Sequence, residues 1–288
     1  MLARAVFGRS RTGHPLESYF ESGGFTDVKR LLLVALCSGV AMSAAEPFSA
    51  SAVAPGAGAS VAQYLVALPH IAYGGGWRTQ IVIGNTSAAA ADVTLYYFAD
   101  NGNPLSLAIG GVFSDHTALT VPANGQQTVE PDWQGANAGG WAGLVYSNTG
   151  LKIQGIFLWH NPADPADKYT ESAAPIVNQS GPACVIPLPG SASYTMPYDE
   201  TGGRFSGYGF ANTGAGPVTM NLTFYGQTGQ VVGQYSEPLV AFGHDAFLVK
   251  DKLPQVVGQK GAMVITGQGV VPLGFRFNPN YSFMTWLP

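Results

Sequence analysis

Beyond residue 46 the chain carries four histidines, His70, His116, His160 and His244. No two stand at the close spacing that lets one turn or helix offer two imidazoles to a zinc ion. Once residues 1–45 are set aside, Cys184 is the single cysteine, so a metal site would need distant side chains to converge. A thiolate nucleophile needs a base and an electropositive niche, yet Ala183-Cys184-Val185-Ile186 reads as a small apolar stretch. No serine sits in a Gly-x-Ser-x-Gly elbow. Gly202-Gly203-Arg204-Phe205-Ser206-Gly207 is glycine-rich like a phosphate loop but runs into a strand pattern and lacks the Lys-Ser/Thr ending. The carboxylates that could pair for glycoside hydrolysis are Asp132, Asp164, Asp167, Asp199 and Glu200. Asp164 and Asp167 also offer a weak calcium site, without the dense acidic alternation of an EF-hand loop. The expectation is ordinary acidic turns, no catalytic residue and no cofactor.

Aromatic residues give the positive lead. Trp77, Trp133, Trp141 and Trp159 crowd the first part of the chain, whereas Trp286 stands alone in the second. Exposed on a sheet, Trp77, Trp133 and Trp141 would stack on sugar rings; buried, they would fill a core or an interface, as Trp159 is expected to do at the end of an apolar strand.

The composition limits what must position these residues. The 288 residues are 46% hydrophobic and only 10% charged, with 38 Gly and 20 Pro and a net charge of −4. Such a chain can bury a core, breaks into short elements and offers no basic face to nucleic acid. At the start, Lys29-Arg30, the apolar run Leu31–Val40 and Ala41-Met42-Ser43-Ala44-Ala45 follow the order of a secretory signal. Cleavage is expected after Ala45, with Ala50-Ser51-Ala52 as a second site. Residues 1–27 fit no part of that pattern, which places the natural start at Val28. A lipid anchor on Cys37 is disfavoured by Leu36 before it, and the apolar run is too short to span a bilayer. Removing residues 1–45 takes five basic and three acidic groups away and leaves a net charge of −6. The expected location is secreted, periplasmic or extracellular, with peripheral attachment to the cell surface allowed and no membrane span in the mature chain.

An internal repeat organises the rest. Gly75-Gly76-Trp77 through Gly84-Asn85-Thr86 aligns without gaps on Gly202-Gly203-Arg204 through Ala211-Asn212-Thr213, at an offset of 127 residues. Val93, Leu95, Tyr97 and Gly102 fall on Met220, Leu222, Phe224 and Gly229 at that offset, and Ala123-Asn124-Gly125 then falls on Ala241-Phe242-Gly243. Within each copy apolar residues alternate with period two, the mark of strands with one buried face. Asp100-Asn101-Gly102-Asn103 and Gln227-Thr228-Gly229-Gln230 read as hairpin loops, and one helical turn is expected around Val249 to Leu253, stopped by Pro254. About seven short strands per copy predict an all-β chain of two tandem antiparallel immunoglobulin-like sandwiches after a signal peptide. Their limits are 62–178 and 183–288, with a flexible leader at 46–61 and a linker at 179–182. The runs are too short and too often cut by Gly and Pro for an outer-membrane barrel.

Met196-Pro197-Tyr198-Asp199-Glu200-Thr201-Gly202-Gly203, Phe210-Ala211-Asn212-Thr213 and Leu273-Gly274-Phe275-Arg276-Phe277-Asn278-Pro279 resemble the tandem β-sandwich repeats of uncharacterised secreted proteins of soil bacteria. The resemblance spans 62–288 and implies export and paired sandwiches; it brings no activity and no catalytic residues. The first copy departs from it at Ala67-Leu68-Pro69-His70 and at Trp159-His160. The function expected is a non-catalytic exported structural or interaction module acting in surface attachment, matrix or binding of a protein. A carbohydrate-binding protein using the first copy's aromatics is the alternative, and a secreted hydrolase comes third.

Overall fold

The computed structural model describes residues 64–132, 137–147, 150–159, 170–172, 186–187, 191–279, 282–286 and 288. About two thirds of them are strand. The first half contains β1 (Tyr64–Tyr73), β2 (Trp77–Asn85), β3 (Ala91–Phe98), β4 (Leu107–Ile109), β5 (Val112–Ser114), β6 (His116–Val121), β7 (Gln126–Val129), β8 (Ala138–Tyr146), β9 (Leu151–Trp159) and β10 (Thr170–Ser172). The second contains β11 (Ile186–Pro187), β12 (Ser193–Asp199), β13 (Phe205–Asn212), β14 (Val218–Gly226), β15 (Val231–Leu239), β16 (His244–Leu248), the one-turn helix α1 (Val249–Lys252), β17 (Lys260–Thr266), β18 (Val270–Phe277) and β19 (Phe283–Trp286). Pro254 opens a 3-10 turn directly after α1, because a proline cannot continue an α-helix. No helix among the described residues is long and apolar enough to cross a membrane.

All the strand pairings are antiparallel, and the sheet orders correspond between halves. The first half has β11-β1-β8-β3-β6 and β10-β9-β2-β7; the second has β12-β17-β14-β15 and β19-β18-β13-β16. Apart from β11, each strand of these four sheets has its counterpart at the same place in the other half. Within the first half β2 pairs with β7 and β3 with β8, while the outer strands β1 and β9 join β8 and β2. β11, which the sequence reading assigns to the second domain, pairs with β1 of the first.

The hairpin β4–β5 has no counterpart in the second half. The repeat offset falls from 127 residues at Gly102/Gly229 to 118 at Ala123/Ala241, and β4–β5 occupies that stretch. Both tip glycines, Gly110 and Gly111, have positive φ (59° and 79°), as a two-residue turn of matching twist requires.

Asn85 and Asn212 explain why the two halves share an Asn-Thr pair. Asn85 Nδ2 donates to the carbonyls of Ala89 and Val121 while its Oδ1 accepts from the Ser87 amide. Asn212 Nδ2 donates to the carbonyls of Gly216 and Val240, and its Oδ1 accepts from the Gly214 amide. The hydroxyls of Thr86 and Thr213 donate to the carbonyls of Gly150 and Gly269. One buried amide thus closes two loops in each half. At the strand start the correspondence repeats: the Thr79 hydroxyl bonds the backbone of Ala72, and the Ser206 hydroxyl that of Asp199.

β1 and β12 each contain a proline, which weakens their strand signal in the sequence. Pro69 interrupts β1 at a register shift between Leu68 and Ile71, while Pro197 lies in β12, an edge strand paired only with β17. These are the places a sheet tolerates a residue with no N–H. β8 begins at Ala138 and β15 at Val231. Alternation is weak in both stretches.

Replacing Asn212 by Ala leaves the carbonyls of Gly216 and Val240 without their donor and should cost about 2–3 kcal/mol in urea unfolding. Asn85→Ala should cost a similar amount. A loss below about 0.5 kcal/mol in either variant would remove the loop-closing role.

Candidate functional site

Residues with chemical potential gather in two places, the seam where the halves meet and the mouth of the second sandwich. The seam exists because β13 is buried on both faces along its whole length, and β18 nearly so. One face lines the core with Met196, Phe210, Met220, Leu222, Phe224, Met263 and Ile265; the other receives β1. Ala67 and Trp141 of the first half there form one apolar cluster with Ala211 and Val271 of the second.

The register shift in β1 places His70 against β13 at Gly209, where a Cβ would lie 2.7 Å from the His70 Cβ. His70 Nδ1 is 3.0 Å from His244 Nε2, and His244 Nδ1 is 2.7 Å from Asp100 Oδ1. The imidazoles stack with centroids 5.1 Å apart. A carboxylate accepts only, so His244 donates from Nδ1, and its Nε2 shares a hydrogen bond with His70 Nδ1. Burial holds the His70 pKa well below the usual imidazole value, and the neighbouring His244 lowers it further. A carboxylate–imidazole pair is the base of many acyl-transfer sites, but here its second nitrogen faces another imidazole. The relay bolts two β units together.

The aromatic candidates meet at the same seam. Trp141 is 2% exposed; its ring stacks on Phe98 at 4.5 Å and its indole N–H donates to the Phe242 carbonyl at 2.8 Å. Trp77 is half-buried and packs against Trp159, Phe277 and Phe283. Neither ring lies in an open row. Phe242 has φ +54°, as does its aligned residue Asn124 at +52°. Asn adopts that conformation readily and a bulky aromatic does so at a cost, which is offset here by stacking on Phe98 at 5.4 Å. Trp133, His160, Asp164, Asp167 and Cys184 lie outside the described residues, as does the expected signal.

At the mouth, Asp199 and Glu200 are consecutive and separately engaged. Asp199 Oδ1 accepts from the amide and hydroxyl of Thr201, while Arg204 and Arg276 approach its Oδ2 at 4.0 and 3.8 Å. Burial pushes the Asp199 carboxyl up, but these hydrogen bonds and cations outweigh it and hold the pKa below the usual value. Glu200 is 5% exposed and accepts the Ser206 amide at 2.7 Å. Its burial pushes the pKa up to about 7 against that hydrogen bond and the nearby Lys250. Asp132 instead latches the β4–β5 tip: its two carboxylate oxygens accept from the amides of Gly110 and Gly111 at 3.2 and 2.9 Å. Among the described residues no three His, Cys, Asp or Glu side chains are placed to hold a metal ion.

Comparison with known proteins gave no match to a family model, to a curated protein or to a solved structure.

His70 and Glu200 tilt stability in opposite directions with pH. An imidazole with a depressed folded pKa contributes its full stability above the unfolded value near 6.5 and loses it as pH falls. A carboxyl raised from 4.5 to about 7 favours the fold below pH 4.5, and that advantage is lost as pH rises to about 7. Glu200→Gln should therefore raise stability at pH 8 by on the order of 2 kcal/mol and change little at pH 4. His70→Leu should flatten the acid limb between pH 7 and 5. Urea unfolding across pH 4–8 reads both effects, and unchanged slopes would contradict them. Phe242→Asn, which relieves the backbone but deletes the stack, should destabilise by about 1–2 kcal/mol; a gain in stability would show that the ring contributes nothing to the seam.

Proposed function

We propose that this is a non-catalytic, exported interaction protein built from two tandem immunoglobulin-like sandwiches fused along one sheet. The observation that carries the reading is the inserted hairpin. Val112 and Phe113 at its tip are 68% and 75% exposed, the highest values among the exposed large hydrophobics of the described residues. Isolated exposed apolar side chains are common. This pair sits on an extra hairpin, next to a turn latched by Asp132, at a point where the second half manages without one. An aromatic held on a rigid turn loses little entropy on docking, the property of interface anchors. The signal-like segment at residues 28–45 supports export.

Carbohydrate binding by the first half is the second reading, with half-buried Trp77 as its remaining described aromatic. Two experiments test the choice. A reporter active only outside the cytoplasm should be exported when fused behind residues 28–61, and retention inside would remove the exported assignment. The secreted protein should associate with the surface of its producing cell, and Val112→Ser/Phe113→Ser should abolish that association with unchanged unfolding behaviour. Retention on a glycan panel that Trp77→Ala abolishes and the hairpin variant keeps would instead establish the carbohydrate reading.

A further inference from the structure

The mouth of the second sandwich contains an imbalance that packing does not resolve. Arg204 follows the turn Gly202–Gly203, whose residues both have positive φ (60° and 76°), and Arg276 lies opposite Ser206 on the neighbouring strand. Both guanidinium groups converge on one oxygen, Asp199 Oδ2, but at 4.0 and 3.8 Å they are too far for hydrogen bonds. Their Nε atoms are buried without a hydrogen-bond partner, and these are two of the four such side-chain atoms found among the described residues. Arg276 has one long bond, from Nη2 to Asn278 Oδ1 at 3.5 Å. Each guanidinium carries five N–H donors in a planar fork, so most donors of the pair are unused. Two cations face one carboxylate whose pKa is held low and which therefore stays ionised, leaving one positive charge in a chain of net charge −4.

Among the described residues the first half has no such feature. At the repeat offset, Ala72 stands for Asp199 and Trp77 for Arg204, and Trp77 is used for packing. The backbone beneath the two positions is the same in both halves, with Thr79 bonding Ala72 as Ser206 bonds Asp199. The fold therefore does not require the charges.

We propose that Arg204 and Arg276 form a clasp, pre-positioned by Asp199, that binds a tetrahedral oxyanion of the sulfate or phosphate type, free or borne on a larger ligand. A carboxylate has two oxygens, which one fork satisfies; two forks approaching from different strands match an anion with further oxygens. Side-chain exposures of 40% for Arg204 and 29% for Arg276 let their outer ends meet solvent while their inner ends are fixed.

Sodium sulfate, titrated at constant ionic strength into the secreted protein, is the probe, and the Nε–Hε resonances of Arg204 and Arg276 are the readout. Saturable shifts of both signals in the millimolar range are expected. Arg204→Gln, at a partly exposed position that should not disturb folding, should weaken binding at least tenfold. Lys152→Gln, which removes one positive charge elsewhere, should leave binding unchanged. The absence of a saturable shift, or equal weakening by Arg204→Gln and Lys152→Gln, would overturn the clasp. Dextran sulfate and neutral dextran separate the sources: retention on the first alone, competed by free sulfate, identifies a polymer-borne group, and saturable sulfate binding without retention identifies the free anion.

Discussion

A β-sheet normally spends one face on a core and gives the other to water; in the sheet β16-β13-β18-β19 the central strand β13 has no such outlet, and β18 has one only at Arg276. Every residue of β13 is buried, and this constraint propagates through the molecule. A strand enclosed on both sides can carry bulky residues on one face only where the other face is thin, and the sequence Phe205-Ser206-Gly207-Tyr208-Gly209-Phe210 answers that need. Added Cβ atoms at Gly207 and Gly209 would press on Phe277 and His70. Gly209 is the condition for close approach of the first half, and Gly207 makes room for Leu248 and Phe277 of its own half.

The seam shows how a polar group is made safe inside that contact. Burying two imidazoles between sheets would cost several kcal/mol if their nitrogens were left unpaired. The carboxylate of Asp100, brought by the loop after β3, fixes one ring, and that ring fixes the other. The same loop is held by backbone: Gly102 lies so close to the Ala241 carbonyl that a Cβ there would be 2.0 Å away, and the His244 amide donates to the Asp100 carbonyl. A loop that is a plain turn in the second half becomes a docking element in the first. Asn124 and Phe242 show the reverse: one backbone conformation is kept, and the aromatic is placed where the seam uses it.

Much of the architecture was legible in the sequence because it depends on local signals. Period-two alternation located β2, β3, β13 and β14, and the paired glycine turns located the loops at Gly102 and Gly229, whose φ values are 78° and 83°. The helix ended where Pro254 required it to end. What escaped depends on contacts between residues far apart. Nothing near His70 announces His244, 174 positions away, and Trp141 looks available for stacking until β8 is placed against the Phe242 turn. The loop-closing role of Asn85 and Asn212 was within reach, since the aligned Asn-Thr pairs were visible as identical residues among substituted neighbours. The change of repeat offset coincides with the inserted hairpin.

The central claim is that the two halves form one cooperative unit because they share the doubly buried sheet. Native-state hydrogen exchange along a denaturant gradient tests it directly. Amides of β1 and β8 in the first half and of β13 and β18 in the second should merge onto a single unfolding isotherm, with equal free energy and equal dependence on denaturant. Exchange of one half's core amides through a lower-energy opening, while the other half stays protected, would contradict the claim and make the seam a contact between independent domains.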